Sequence, residues 1–304
     1  MPPAMNDDDD PPLMNEDETD FRTLRVFKRA FGLGWTPDYP DVRDYTLQSA
    51  PVASVLKTTL TATTALPAKV DLASKFSPIE SQGNLGSCTS QAAVGLLEYY
   101  ERTVLGRHVD ASRLFVYKTT RKLLGWTGDT GAYLRTTMKA LALFGAPPEE
   151  HYPYNINQYD AEPASFIYAL AQNWQALSYY RLDPAGSAGQ VALDALKTRL
   201  SQKQPAMFGF TVYSSLPTTT STGEIPYPKS TDRVAGGHAV VAVGYDDAKV
   251  INGVAGAIKI RNSWGTGWGA AGYGWLPYRY FTNRLATDIW SLVRSEYIDL
   301  APFA

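Results

Sequence analysis

The sequence predicts an α+β protein in two lobes, one helical and one built mainly of strands. Three observations carry that expectation: helix-period patterns fill the middle of the chain, short β-branched and aromatic runs between glycines fill its last third, and 304 residues suffice for about two domains. The first helix reads from "CTSQAAVGLLEYYERTVLG". Ala93, Leu96, Leu97, Tyr100 and Val104 fall at helical spacing, and Gly106 is a suitable stop. Cys88 is thereby placed at a helix N-terminus. A second helix reads from "YLRTTMKALALFG", with Leu134, Met138 and Leu141 on one face and Gly145 beyond its end. A third lies in "GQVALDALKTRLSQ", where Leu193, Leu196 and Leu200 align ahead of Pro205. The runs "HAVVAVGY", "AIKIRNSW", "GYGWLPY" and "SEYIDL" read as strands.

Upstream of these elements the chain changes character. Residues 1 to 20 hold eight acids and no base, and such a Pro-containing acidic block reads as a disordered tail without a function of its own. Residues 21 to 66 read as an extension rather than a domain. "FGLGWTPDYPDVRDY" is dense in turn formers, and "TTLTATTALPA" is a Thr/Ala linker. The regular pattern runs from 67 to 304.

Lys+Arg 28 against Asp+Glu 30 gives no electrostatic lean, so neither nucleic acid nor an anionic membrane is expected as a partner. No apolar run approaches a membrane span or follows a basic N-terminal segment. A lone cysteine suits a reducing compartment. The expected location is cytoplasmic and the expected state a monomer.

That cysteine, Cys88, follows "SQGNLGS". Taken alone, a single Cys is a small buried hydrophobe. Only three histidines exist, His108, His151 and His238, and His238 opens an apolar strand behind two glycines. Asn262 follows inside "IRNSWGTGWG". One Cys and three scattered His do not make a structural zinc site, and no metal or organic cofactor is implied.

Cys, then His about 150 residues on, then Asn is the chain order of the papain-like cysteine peptidases, which this sequence resembles. The similarity is close in "GGHAVVAVGY" and "IKIRNSWGTGWGAAGY", and it extends to Gln82 ahead of the cysteine and to "TGAYLRTTMKALALFGAPPEEHYPY". The resemblance implies the papain-like two-lobed fold, with a helical lobe, a β-barrel-like lobe and a cleft between them. It also implies a polypeptide substrate and an endopeptidase activity running through a Cys88 thioester. His238 would be base and then acid, Asn262 would orient the imidazole, and Gln82 would donate to the oxyanion with the Cys88 N–H. A thiol is mostly protonated at neutral pH, so a thiolate–imidazolium pair at the helix N-terminus is expected. Trp264 would shield the His–Asn bond from water and is also a candidate substrate-binding residue. Gly131, in the cleft turn, would pair with substrate backbone. Met207, Gly209 and Asp288 are candidates for a specificity pocket.

Two departures stand out. Leu85 occupies the place of a family cysteine, so a neighbouring disulfide is replaced, on this reading by apolar contact; and Thr89 stands where an aromatic commonly follows the nucleophile. The rivals are a transglutaminase-like thiol acyltransferase, which would usually present Asp rather than Asn262, and a peptide-binding pseudoenzyme that no longer cuts. For the extension two placements are open. "GWTPDYPDVRDY" either lies across the cleft as a short inhibitory prosegment or straps the back of the core.

Overall fold

The computed structural model describes residues 32–56, 65–106, 108–216 and 221–297. The acidic tail, part of the Thr/Ala linker and the last residues of "SEYIDL" lie outside them. In chain order the elements are α1 (Ala50–Val55), β1 (Lys69–Asp71), α2 (Cys88–Leu105), α3 (Arg113–Leu124), α4 (Leu134–Phe144), α5 (Ser165–Ala171), β2 (Trp174–Arg181), α6 (Gly189–Ser201), β3 (Ala206–Tyr213), β4 (Val234–Ile251), β5 (Val254–Arg261), β6 (Tyr273–Pro277), α7 (Tyr278–Thr282) and β7 (Ala286–Tyr297). The expected α+β class is observed.

Helices α2, α4 and α6 form where the apolar period placed them. In α2, Ala92, Ala93, Val94, Leu96 and Leu97 are buried, and the helix stops at Gly106 in the left-handed region with its N–H on Arg102 O. Leu134, Met138 and Leu141 of α4 are fully buried, as are Leu196 and Leu200 of α6. Helix α3 carries a less regular pattern, because Arg113, Thr119, Thr120 and Arg121 are buried along with its apolar residues. Its start is marked by Ser112, whose side chain accepts from Phe115 N–H.

The strands form one antiparallel sheet in the order β2-β7-β3-β4-β5-β6, with β1 added to β4. Strand β4 is central: residues 238 to 245 are all buried, as expected of a strand covered on both faces. Its neighbours fix the site's register. Phe210 of β3 sits opposite His238, and Arg261 of β5 sits opposite Val241. Helix α2 packs on β4, β3 and β7.

The extension is part of this body. Val52 and Leu56 are buried in the main core, and Thr46 bridges Arg181. Arg135 of α4 holds Asp44 at 2.7 and 2.8 Å, binds Asp38, and donates to Tyr39 O at 2.7 Å.

Helix α2 has to be rigid to hold a residue at its first position, and Leu96 is one of its fully buried anchors. Leu96→Ala should lower stability by about 2–5 kcal/mol, the range for a large-to-small core change, read from the denaturant midpoint at unchanged m-value.

Candidate active site

The site is built where the N-terminus of α2 meets the start of the buried run of β4. Cys88 is the first residue of α2 and is fully buried. Burial pushes its thiol up to about 11, while the backbone N–H groups of Ala239 and Gly34, and then those of Thr89 and Cys88 itself, point at the sulfur and oppose the shift. The N–H of Ala239 puts the sulfur beside the residue that follows His238.

His238 Nε2 lies 2.7 Å from Asn262 Oδ1, and the same oxygen accepts from Ser263 N–H at 2.8 Å. An atom accepting from a backbone N–H is the carboxamide oxygen, so Nε2 carries the imidazole proton and Nδ1 presents its lone pair. Nδ1 is buried and has no hydrogen-bond partner among the described residues. The imidazole is held face-on by Trp264, with ring centroids 4.4 Å apart and planes 25° apart, and Trp268 meets Trp264 edge-on. Burial lowers the imidazole to about 4, against the raising effect of Asn262. Burial thus works against charge on both the thiol and the imidazole.

Gln82 is oriented by the Asn262 loop. Its backbone N–H donates to Ser263 O at 2.8 Å, its Oε1 accepts from Ser263 Oγ at 2.6 Å, and its Nε2 donates to Leu85 O at 2.8 Å and Gly32 O at 2.7 Å. The carbonyl of Gly32 comes from the extension. From there the chain runs along the site: Gly34 O accepts from Ala132 N–H at 2.8 Å, Thr36 N–H donates to Ala132 O at 3.2 Å, and Trp35 N–H donates to Gly237 O at 3.1 Å. Trp35 pairs with Ala132 as a parallel bridge. Residues 32 to 36 therefore run past Cys88 and the residue preceding His238, while Asp38, Tyr39 and Asp44 of the same stretch are held on Arg135, so the stretch touches both places left open by sequence.

The backbone pairing falls on Ala132, one residue beyond Gly131. Gly131 supplies the approach: its φ is +71°, and a Cβ there would lie 2.0 Å from Gly34 O. Below it, Asp129 accepts from Gly86 N–H at 2.9 Å and from Tyr117 OH at 2.6 Å, and Gly131 N–H donates to Tyr117 OH at 3.1 Å. This polar brace ties the loop before Cys88 to the turn carrying Ala132. Leu85 adds apolar contact, buried with Leu114 and Tyr117.

Ser263, Asp129, Tyr117, Ala132 and Trp35 are the site residues that sequence reasoning missed. Ser263 lies within the quoted "NSWG" and Trp35 within the quoted "GWTPDY", but nothing in either run says what its side chain touches.

His238 makes a signed contribution to stability. Its folded value is depressed below the ordinary 6.5, so the unfolded chain takes up a proton first as pH falls from about 6.5 to about 4, and stability is lost across that window. Burial raises Glu80 to about 8 and Asp288 to about 7, and both give the opposite slope over overlapping pH. The His238 part is therefore read as a difference: between pH 6.5 and 4, urea unfolding of the parent should lose more stability than that of His238→Gln. The gap is up to ~3 kcal/mol on the linkage of about 1.4 kcal/mol per pKa unit.

Comparison with known proteins agrees with this architecture. The family model described as "Papain family cysteine protease" matches residues 66–286. An uncharacterized peptidase C1-like protein of Acanthamoeba polyphaga mimivirus is 33% identical, over 69% of this chain and 67% of its own length. Cathepsin K of Gallus gallus is 31% identical over 68% of this chain, and the match spans only 58% of the cathepsin. Among solved structures, xylellain, a cysteine protease from Xylella fastidiosa, is 34% identical with a TM-score of 0.72, covering 89% of this chain and 97% of that one. Procathepsin L 3 of Tenebrio molitor, at 20% identity and a TM-score of 0.62, shares the fold. With the family model spanning the site loops and both lobes, the chain belongs to the papain family of cysteine proteases.

Proposed function

We propose that the chain is a cysteine endopeptidase in which Cys88 is nucleophile, His238 base and acid, Asn262 the group that orients the imidazole, and Gln82 an oxyanion donor. One observation supports it above the others. A peptide carbonyl, that of Gly32, already sits on Gln82 Nε2 at 2.7 Å, and the N–H of Gly34 points at the Cys88 sulfur. Peptide backbone is thus the chemical species this site receives.

In the reaction, substrate displaces residues 32 to 36. The thiol proton passes to His238 Nδ1, helped by the α2 N-terminus, whose partial positive charge favours the thiolate. The sulfur attacks the carbonyl carbon and the oxygen takes negative charge, received by Gln82 Nε2–H and Cys88 N–H. The intermediate collapses, the C–N bond breaks, and the amine leaves with the proton from Nδ1. Water then attacks the thioester with Nδ1 taking its proton, which releases the acid and restores the thiol. Asn262 and Trp264 keep Nδ1 aimed at the sulfur throughout.

The extension is proposed as a short inhibitory prosegment. It holds the oxyanion donor, the backbone partner Ala132 and the sulfur at once, and it is clamped through Asp38 and Asp44 on Arg135. We further take the working form to be a monomer in the cytoplasm, since a lone cysteine suits a reducing compartment.

The test is a thiol-directed peptidyl epoxide. One adduct at Cys88 with hydrolysis of casein is expected, both lost in Cys88→Ala. An adduct without cleavage would favour a peptide binder, and incorporation of an added amine would favour an acyl transferase. Gln82→Ala should cut kcat by about 10²–10³ with little change in KM. Trp35→Ala, which loosens the cover, should raise both the alkylation rate of Cys88 and casein turnover in the full chain; unchanged rates would refute the inhibitory role.

A further inference from the structure

The stretch from Gly32 to Leu56 is held by two sets of groups that differ in kind, and an exposed turn separates them. Upstream of the turn, Gly32 O accepts from Gln82 Nε2 at 2.7 Å, Gly34 O accepts from Ala132 N–H at 2.8 Å, and the Gly34 N–H points at the Cys88 sulfur. The Trp35 indole lies against Gly209 and donates to Asp288 Oδ2 at 3.1 Å, two of the residues that the sequence marks for a specificity pocket. Every one of these partners is a group that the peptidase reading gives to substrate. A bound peptide takes them up again when the upstream half leaves.

Downstream of the turn the partners have no part in the reaction. Tyr45 O accepts the Arg181 N–H of β2 at 2.7 Å, and Thr46 pairs with Arg181 as a parallel bridge. Asp44 holds Arg135 of α4 through both oxygens, at 2.7 and 2.8 Å, and lies 3.7 Å from buried Arg181. Leu47 packs against the main core, and Val52 and Leu56 are buried within it. Substrate in the cleft replaces none of these. Stripping this half would leave a β2 N–H without its acceptor, two arginines short of a carboxylate, and apolar core surface open to water.

The turn between the halves is open to attack. Tyr39 is 89% and Val42 98% exposed, and the Arg43 side chain pairs only with Asp41, two residues away. Exposed turns of this kind are where endopeptidases nick folded proteins. Resting on the peptidase and inhibitory readings above, we propose that the extension has two fates: hydrolysis of one peptide bond within residues 39–43, by an endopeptidase acting in trans, frees the upstream half, while residues 44–56 stay as a permanent strap of the working enzyme. Water supplies the hydroxyl of the new carboxyl end and the hydrogen of the new amino end. The nick itself removes no contact with the cleft. It ends the roughly millimolar effective concentration at which a short tether presents the upstream half, so the freed peptide is lost by dilution. Asp44 lies beyond the nick and keeps its hold on Arg135.

The experiment places a viral-protease recognition sequence between Asp41 and Val42 of the full chain, cuts the folded protein and separates the products by gel filtration. Residues 1–41 should elute apart from the body, and casein turnover and epoxide labelling of Cys88 should each rise by about tenfold or more. The same sequence placed between Thr63 and Thr64 should give no rise on cutting, because both halves of the extension then remain joined. For the strap, the cut body starting at Val42 is compared with a chain starting at Leu66, each with the peptidyl epoxide on Cys88 so that the cleft is filled alike. Loss of residues 42–65 should lower the unfolding midpoint by at least about 5 °C, and failure of that shorter chain alone to fold counts the same way. Equal midpoints, or unfolding of the body after the cut at the turn, would overturn the permanent strap. Residues 1–41 still bound after the cut, with no rise in turnover, would overturn the turn as the release point. Residues 1–41 gone with no rise in turnover would overturn the inhibitory reading. Epoxide labelling without casein hydrolysis in every form would overturn the peptidase reading and this inference with it.

Discussion

The hydrogen bond between His238 and Asn262 is the interaction on which the arrangement of the site depends. At 2.7 Å and fully buried, it fixes the imidazole tautomer, which leaves the Nδ1 lone pair free. The bond exists because β4 and β5 are antiparallel neighbours, which brings the residue just past β5 next to one near the start of β4. Trp264 closes it from above. The same loop then positions Gln82 through Ser263, so two functions proposed for separate residues share one backbone turn.

Burial cuts both ways here. The dry environment that strengthens the His–Asn bond also penalises charge on the sulfur and the imidazole. The segment from Gly32 to Thr36 meets several of the groups at the site through backbone hydrogen bonds.

The loop ahead of Cys88 is held without a covalent link. Asp129, through Tyr117 OH and Gly86 N–H, spans the gap between that loop and the turn bearing Ala132, and Leu85 packs beneath it. Apolar contact is therefore only half of what replaces the family disulfide. Hydrogen bonds to a carboxylate are the stronger kind, and they do not depend on redox state.

Local patterns alone placed a good deal of this protein. The 3.6-residue period located α2, α4 and α6, Gly106 located the end of α2, and the β-branched run after His238 located the central strand. The order of Cys88, His238 and Asn262 identified the family, because those side chains sit in motifs whose neighbours along the chain carry the signal. Helix α3 escaped because its buried arginines and threonines break the apolar period. Trp35 against Gly209, Asp129 against Gly86 and Ser263 against Gln82 escaped for another reason. Each is a contact between residues distant in sequence, set by strand register and loop packing. No periodicity within either segment encodes it, and only the folded chain decides which side chain meets which backbone.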